Sequence, residues 1–349
     1  MVTDEPMILG IESSCDETGC AVVTGGGKVL SNQLATQTNL HARFGGIVPE
    51  VASRAHVNTI SKIISQALEE ACVTGDDLAA VAVANEPGLI GSLLVGLSAA
   101  KALAWGWSIP LVAINHVHAH ACAPVLGGNH IEYPATALIC SGGHTSLYHC
   151  QGPADMDLLG STVDDAAGEA FDKVAAILRL GYPGGPAIDR ASACGDPHGV
   201  KFPRSLLGKD SLDFSFSGLK TAVLYHVNGV PGADGAMKNC GAESLGDQEI
   251  CDIAASFQHT VVEILIEKLR RALRVSGSKS IIIGGGVAAN SALRTAAGNL
   301  ASRLGLNLYV PELKYCTDNA AMIAIAGFYR LGNGHISRLD TTATATVKL

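Results

Sequence analysis

His116 and His120 stand four residues apart in the run Asn115-His116-Val117-His118-Ala119-His120. On an α-helix that spacing puts both imidazoles on one face, where each offers a ring nitrogen to a single cation, with His118 directed elsewhere. Two histidines alone read equally as a solvated or core pair, so a third donor decides the matter. Asp318 lies in Tyr315-Cys316-Thr317-Asp318-Asn319-Ala320, ahead of a long apolar segment. Taken alone it reads as a helix cap, because Thr and Asp both cap well. Combined, His116, His120 and Asp318 make a His/His/Asp set with open coordination positions, suited to a catalytic or substrate-holding divalent metal such as iron or zinc.

Other turns carry polar groups of a different kind. Ile281-Ile282-Ile283-Gly284-Gly285-Gly286-Val287-Ala288-Ala289-Asn290 is a strand running through a glycine turn toward a helix start. There unpaired amides and the helix dipole favour a phosphate, and Asn290 is placed to read a ligand. The run matches neither the dinucleotide fingerprint nor the P-loop. Ser13-Ser14-Cys15-Asp16-Glu17-Thr18 and Ser141-Gly142-Gly143-His144-Thr145 are cradles of hydroxyls and turn amides, the first with carboxylates added. Phe171-Asp172-Lys173, Tyr182-Pro183-Gly184-Gly185-Pro186 and Asp189-Arg190 form a third group. Each also has an ordinary turn or helix-surface explanation.

Hydrophobic periodicity supplies the elements that must position these residues. Ile8 to Ile11 and Cys20 to Val23 read as a hairpin with a polar tip from Glu12 to Thr18. Helical spacing runs from His56 to Cys72, and Leu78 to Ala84 is a buried strand. A helix over Gly91 to Trp107 and a strand over Pro110 to Ile114 follow. A second strand, glycine turn and strand begin near Thr136, with Ala137 to Cys140 and Ser146 to His149, so a repeated topology is suspected without any residue-level repeat. Helices are predicted at Asp164 to Leu180, Asp252 to Val275, Ala288 to Leu304 and Asp318 to Leu331, with strands at Ser280 to Ile283 and Leu306 to Val310. Val227 to Gly246, rich in glycine and without period, reads as a surface loop. Alternating strands and helices indicate an α/β layer fold.

Composition bounds the rest. The chain has 349 residues, of which 48% are apolar, enough for a substantial core in two lobes. The start is acidic with no signal-like apolar stretch, and the apolar segment Ser92 to Trp107 is broken by Lys101 and short for a bilayer, so no membrane association and a cytoplasmic location are expected. The ten cysteines contain no C-x-x-C, which suits reduced thiols. A net charge of −8 argues against a surface that coats nucleic acid unaided.

The ordered set of segments closely resembles the universal family that makes threonylcarbamoyladenosine in tRNA, once described as O-sialoglycoprotein endopeptidases. The resemblance spans nearly the whole chain. It is carried by Gly10-Ile11-Glu12-Ser13-Ser14-Cys15-Asp16-Glu17-Thr18, Gly45-Gly46-Ile47-Val48-Pro49-Glu50 with Ser53-Arg54 and His56 beyond, Pro87-Gly88-Leu89 with Gly91 to Gly96, and the His116/His120 pair. Ser141 to Thr145, Asp164 to Lys173, Tyr182 to Pro186, Phe214-Ser215-Phe216-Ser217-Gly218-Leu219-Lys220 and Thr317-Asp318-Asn319 continue it.

The resemblance implies the two-lobed, duplicated RNase H-like fold of sugar kinases, heat-shock chaperone ATPases and actin, with an interlobe nucleotide cleft. The lobes would be 1–135, completed by a C-terminal helix at about 318–349, and 136–317. It implies that threonylcarbamoyl-AMP donates its acyl group to the exocyclic amine of the adenosine following the anticodon, in tRNAs reading ANN codons. ATP or ADP would be alternative occupants of the cleft. His116, His120 and Asp318 would hold one divalent metal, Fe²⁺ favoured and Zn²⁺ the alternative. Ile139, Cys140, Ser141, Gly142 and Gly143 would line the donor, and Asp172, Gly185, Asp189 and Asn290 would bind its adenosine and phosphate. Asp16 or Glu17 is the candidate proton acceptor. Implied partners are tRNA, a degenerate paralogue forming a heterodimer, and a small ATPase, with a homodimer as the alternative assembly.

Two positions depart from the family pattern. Glu86 stands where a Gly commonly precedes Pro-Gly-Leu, and His118 creates a His-x-His-x-His pattern similar to that of O-carbamoyltransferases using carbamoyl-adenylate. Those relatives carry further domains. An ATPase or kinase of the same fold would not need the His/His/Asp set, and a metalloprotease would want Glu where Val117 stands.

Overall fold

The computed structural model describes residues 5–41, 46–230 and 241–346. Gly45 of the resemblance motif, and residues 231–240 within the loop expected at Val227 to Gly246, lie outside the described residues. In chain order the described elements are β1 (Met7–Glu12), β2 (Glu17–Thr24), β3 (Val29–Thr36), α1 (Thr38–His41), α2 (Pro49–Ala71), β4 (Leu78–Glu86), α3 (Ile90–Trp107), β5 (Leu111–Asn115) and α4 (His116–Cys122). There follow β6 (Ala135–Cys140), β7 (Thr145–Gly152), β8 (Asp155–Ser161), α5 (Ala167–Ile177), α6 (Gly184–Ser192), α7 (Ser217–Asn228) and α8 (Asp247–Ser276). The last are β9 (Ser280–Gly284), α9 (Ser291–Leu304), β10 (Asn307–Tyr309) and α10 (Ala320–Gly332). Contacts divide the chain into two units, one of Met1–Ile131, Gln151–Met156 and Pro311–Leu349, the other of Glu132–Cys150 and Asp157–Val310.

In the first unit the sheet order is β3-β2-β1-β4-β5, with β1 antiparallel to β2 and parallel to β4, and β4 parallel to β5. Both faces of the central strands are buried. Ile8, Ala80 and Ala82 point into a cluster shared with α10, whereas Leu9, Ile11, Val81 and Val83 join α2 and α3 on the other side. Burial on both faces is why β1 and β4 read as nearly continuous apolar runs. A Cβ at Gly10 would overlap the carbonyl oxygen of Ala320, so this glycine lets α10 lie directly on β1.

In the second unit the order is β10-β9-β6-β7-β8, with β6 antiparallel to β7, parallel to β9, and β9 parallel to β10. Counted outward from the third strand of each meander, the two sheets have the same order, and the repeated topology suspected from the sequence is present.

Several boundaries differ from the sequence reading. Helix α2 begins at Pro49 rather than near His56, because proline supplies a preformed first-turn φ and needs no amide partner. Helix α5 begins at Ala167, not Asp164. Asp164 instead accepts hydrogen bonds from Ser215 Oγ (2.6 Å), Ser217 Oγ (2.7 Å) and the Phe216 amide (2.8 Å). Helix α8 starts at Asp247, α9 at Ser291 after a 3₁₀ turn over Gly286–Ala289, and α10 at Ala320. Among the described residues of the expected loop, Val227 and Asn228 close α7 and Gly241–Ser244 form a 3₁₀ turn. Helix α3 is long and apolar enough to span a membrane by length and composition, against the sequence reading. It nevertheless carries Lys101 and buries Ser92, Leu93, Gly96, Leu97, Ala100 and Ala104 within the first unit. The nine described cysteines are all free.

Candidate functional site

Strand β5 ends at Asn115, whose side-chain oxygen accepts from the amides of Val117 (2.9 Å) and His118 (3.1 Å) and so starts α4 at His116. This cap aims the first and fifth residues of the helix inward. His116 and His120 are 4% and 1% exposed, with ring centroids 4.9 Å apart and planes at 81°. Asp318 arrives from the segment before α10. The cap there is Asn319, which accepts from the Met322 amide at 3.0 Å, so Asp318 is not a cap and its carboxylate is left to face the histidines. Asp318 Oδ1 lies 3.4 Å from His116 Nε2 and 3.3 Å from His120 Nε2, and the three donor atoms all fall within 4.8 Å of one another.

His120 is buried with no hydrogen-bond partner at Nδ1, and Nε2 has only the Asp318 carboxylate, 3.3 Å away and outside good hydrogen-bond geometry. A buried imidazole with so little hydrogen bonding is costly in a protein interior. A cation accepting the Nε2 lone pair would offset part of that cost, so His116, His120 and Asp318 fit a divalent metal. His116 Nδ1 is held by Glu12 Oε2 at 2.8 Å, with Ser14 Oγ at 3.2 Å, which directs Nε2 toward the other two donors. Burial opposes charge on His116, but the carboxylates of Glu12 and Asp318 outweigh it and raise its pKa well above the usual value. Burial holds His120 below its usual value. Burial also works against the Asp318 carboxylate, yet the two imidazoles hold it well below the ordinary range.

Glu12 escapes the residue-level sequence reading, which placed it only in a hairpin tip and a family motif. A signal was present: it is the charged residue closing β1, a strand buried at all six positions, and a buried carboxylate requires a partner. Asp16 and Glu17 lie just past it. Burial first, then the charges of Asp318 and Asp16, push the Glu17 carboxyl up to about 9. The tip is braced by His56, which contacts Thr18 Oγ1 at 2.8 Å and the Cys15 carbonyl at 3.0 Å. His118 is outside the ligating group, its pKa lowered to about 4 by burial and then Arg330. Glu86 closes β4 beside Asn115.

The remaining predicted residues lie in the second unit: Ile139 to Gly143 at the carboxyl end of β6, Gly185 and Asn290 at the starts of α6 and α9, and Asp172 and Asp189 inside α5 and α6. Ile139 and Cys140 are the buried end of β6. Ser141 then closes a turn with His144, its amide donating to the His144 carbonyl at 2.7 Å and its hydroxyl accepting the His144 amide at 3.2 Å, which leaves Gly142 and Gly143 exposed. Gly285, at φ 85°, passes the Cys140 carbonyl so closely that a Cβ would overlap it. Asp172 Oδ1 accepts the Gly184 amide at 2.7 Å at the start of α6, and Gly185 has open space where a Cβ would be. Asp189 accepts from Ser291 Oγ (2.8 Å) and Asn290 Nδ2 (3.3 Å). Asn290 also donates to Gln258 Oε1 at 2.6 Å and caps α9 through the Leu293 amide at 2.9 Å. Asp189, Asn290, Ser291 and Gln258 are therefore one polar group, in which Gln258 was invisible to the sequence because its partner comes from a distant turn. Carboxyl ends of parallel strands and helix N-termini are where open α/β sheets receive phosphorylated ligands.

The chain is similar to known proteins over nearly its full length. It is 49% identical to the tRNA N6-adenosine threonylcarbamoyltransferase of Geobacter sp. (strain M21), covering 97% of this chain and 95% of that one. It is 45% identical to that of Syntrophomonas wolfei, covering 98% of both. Among solved structures, HypF from T. kodakarensis superposes with a TM-score of 0.61 at 13% identity, over 94% of this chain and 48% of that one. Component A of the Acidaminococcus fermentans (R)-2-hydroxyglutaryl-CoA dehydratase gives 0.53 at 16% identity, over 94% of this chain and 99% of that one. These two likenesses concern the two-lobed α/β fold. The model of the family described as tRNA N6-adenosine threonylcarbamoyltransferase matches residues 28–325, and the chain belongs to that family.

Proposed function

We propose that the chain transfers threonylcarbamoyl from threonylcarbamoyl-AMP to N6 of the adenosine following the anticodon, in tRNAs reading ANN codons. Family membership supports the reaction class, and the observation that carries the metal-dependent form is the convergence of the buried His116 and His120 rings and the Asp318 carboxylate, their donor atoms within 4.8 Å of one another. In the reaction the N6 amine attacks the carbamoyl carbonyl, the new C–N bond forms, the bond from that carbon to the AMP phosphate oxygen breaks, and N6 loses a proton. A divalent metal, Fe²⁺ favoured and Zn²⁺ the alternative, would supply Lewis-acid charge for the acyl group. His116, His120 and Asp318 hold it, and Glu12 fixes the His116 ring. Asp16 and Glu17 are the candidates to take the N6 proton, Glu17 only after losing the one that burial and its carboxylate neighbours retain. Ile139 to Gly143 line the donor, while Asp172, Gly185, Asp189 and Asn290 receive its adenosine and phosphate.

The net charge of −8 is a poor match for unaided tRNA capture, since phosphate neutralisation supplies much of RNA affinity. We assign the missing surface to partners: a degenerate paralogue in a heterodimer and a small ATPase, in the cytoplasm. The test is transfer of labelled threonylcarbamoyl to unmodified tRNA by wild type, His116→Ala and Asp318→Ala, with candidate partners supplied. Label on tRNA only with the intact His/His/Asp set is expected. Failure of the wild type under every partner combination, or carbamoyl transfer to a small hydroxylated acceptor in its place, overturns the reading.

A further inference from the structure

After α6 the chain runs without regular structure along one face of α8, and side chains of α8 hold it turn by turn. Gln248 Nε2 donates to the Cys194 carbonyl at 3.0 Å, and Asp252 Oδ1 accepts the Asp196 amide at 2.8 Å. Ser256 Oγ bonds the Asp196 carbonyl (3.1 Å) and the Val200 amide (3.0 Å). Cys194 therefore sits over the helical turn between Gln248 and Asp252. Cys251 occupies that same turn and, at i+3 from Gln248, the same face. The backbones touch here, since a Cβ on Gly195 would overlap the Cys251 carbonyl. Cys194 is exposed and Cys251 partly so, and both are free thiols. Burial, followed by the charges of Cys194, Asp252 and Asp247, pushes the Cys251 thiol up, which places Cys194 within electrostatic reach.

We propose that Cys194 and Cys251 are a redox pair, a modification site that closes into a disulfide joining the segment just after α6 to the first turns of α8. The oxidant is a low-molecular-weight disulfide. The thiolate of Cys194, the more exposed of the two, attacks one of its sulfurs and expels the first small thiolate, leaving a mixed disulfide. The Cys251 thiolate attacks the Cys194 sulfur, forms the protein disulfide and expels the second. Two protein thiols are oxidised, one small disulfide is reduced to two thiols, and the two protons released by the cysteines go to the departing thiolates. The closed bond tethers the chain two residues past the end of α6, the helix that carries Asp189.

The test uses the full-length protein equilibrated with oxidised and reduced glutathione, acid-quenched, alkylated and mapped by mass spectrometry without reduction. A cross-linked peptide containing Cys194 and Cys251 is expected in excess over either mixed disulfide, reverting with dithiothreitol. Cys251→Ser should accumulate glutathione on Cys194. Separate glutathionylation of the two residues in the wild type, pairing of either with another cysteine, or two thiols still alkylatable at high oxidised glutathione overturns the proposal. None of these readouts requires transferase activity.

Discussion

Glu12 decides which nitrogen His116 presents. A carboxylate only accepts, so the proton of a neutral His116 must sit on Nδ1 and the lone pair on Nε2, which faces Asp318 and His120. Glu12→Gln removes that constraint, because the amide can donate to Nδ1 and drive the proton onto Nε2. Divalent metal affinity should fall about 10–100-fold, read by competition with a chromophoric chelator; unchanged affinity in a normally folded variant would show that the carboxylate does not set the ring. His120 gives the opposite kind of effect. Its buried imidazole has no partner at Nδ1 and only a poorly aligned Asp318 carboxylate 3.3 Å from Nε2, so His120→Leu should leave the metal-free protein about as stable as wild type, within about 1 kcal/mol or above it. Urea unfolding in chelator checks this, and a loss of several kcal/mol would mean the ring has a structural partner. The His/His/Asp set was readable because i,i+4 spacing and a lone carboxylate before a helix are local patterns. Glu12 gains its meaning from a residue 104 positions away and Gln258 from one 32 positions away, through sheet and helix packing that no local window contains.

At the level of elements, the central strands and amphipathic helices were legible since each is buried on faces that its own period records. The missed strands β3 and β8 are the edges of their sheets, with mixed burial along their length, so neither alternation nor a continuous apolar run marks them. Helix α6 is not marked by the sequence because Gly184-Gly185-Pro186 suits a turn as well as a helix surface, yet here Asp172 accepts its first amide and starts the helix. The segment that follows α6 depends on α8 for its shape. Lys268, fully buried, donates to the carbonyls of Leu206 (2.7 Å) and Ser211 (2.6 Å), and Arg271 donates to Gly208 (2.8 Å). Burial, with Arg271 adding, lowers the Lys268 pKa to about 8 from 10.5. Below pH 8 the amine is charged in folded and unfolded chains alike, and its cost to folding is constant. Between the two values the unfolded chain holds the extra proton, so the Lys268 contribution to stability must rise with pH, by at most about 1.4 kcal/mol per unit. Lys268→Met lacks this titration. The stability of wild type minus that of the variant, from urea melts between pH 7 and 10, should therefore climb above pH 8; a flat difference would place the lysine in a solvated setting.

The whole molecule repeats one sheet plan twice, but the two units are closed differently along the chain. The second is built almost entirely from one stretch, Glu132–Cys150 and Asp157–Val310, whereas the first needs Pro311–Leu349 to return and cover β1, β2 and β4 with α10. Helix α10 is apolar on nearly every side: Ala320 to Ala326, with Met322, Ile323 and Ile325 fully buried, is enclosed in the cluster with Ile8, Ala80 and Ala82. Burying those three large side chains contributes about 2 kcal/mol each, and the alanines and Asn319 cap add to it, which is comparable with the roughly 5–15 kcal/mol that holds a domain folded. A chain ending at Val310 should therefore lose the first unit and keep the second. Amide exchange followed by mass spectrometry reads this directly: β1, β4 and β5 should exchange as in an unfolded chain, while β6, β9 and the interior of α8 remain protected. Protection persisting in β1 and β4 would mean that the α2 and α3 side of the sheet suffices. Loss of protection throughout would mean that the second unit does not hold its fold when the first is opened, and that the two unfold as one cooperative body.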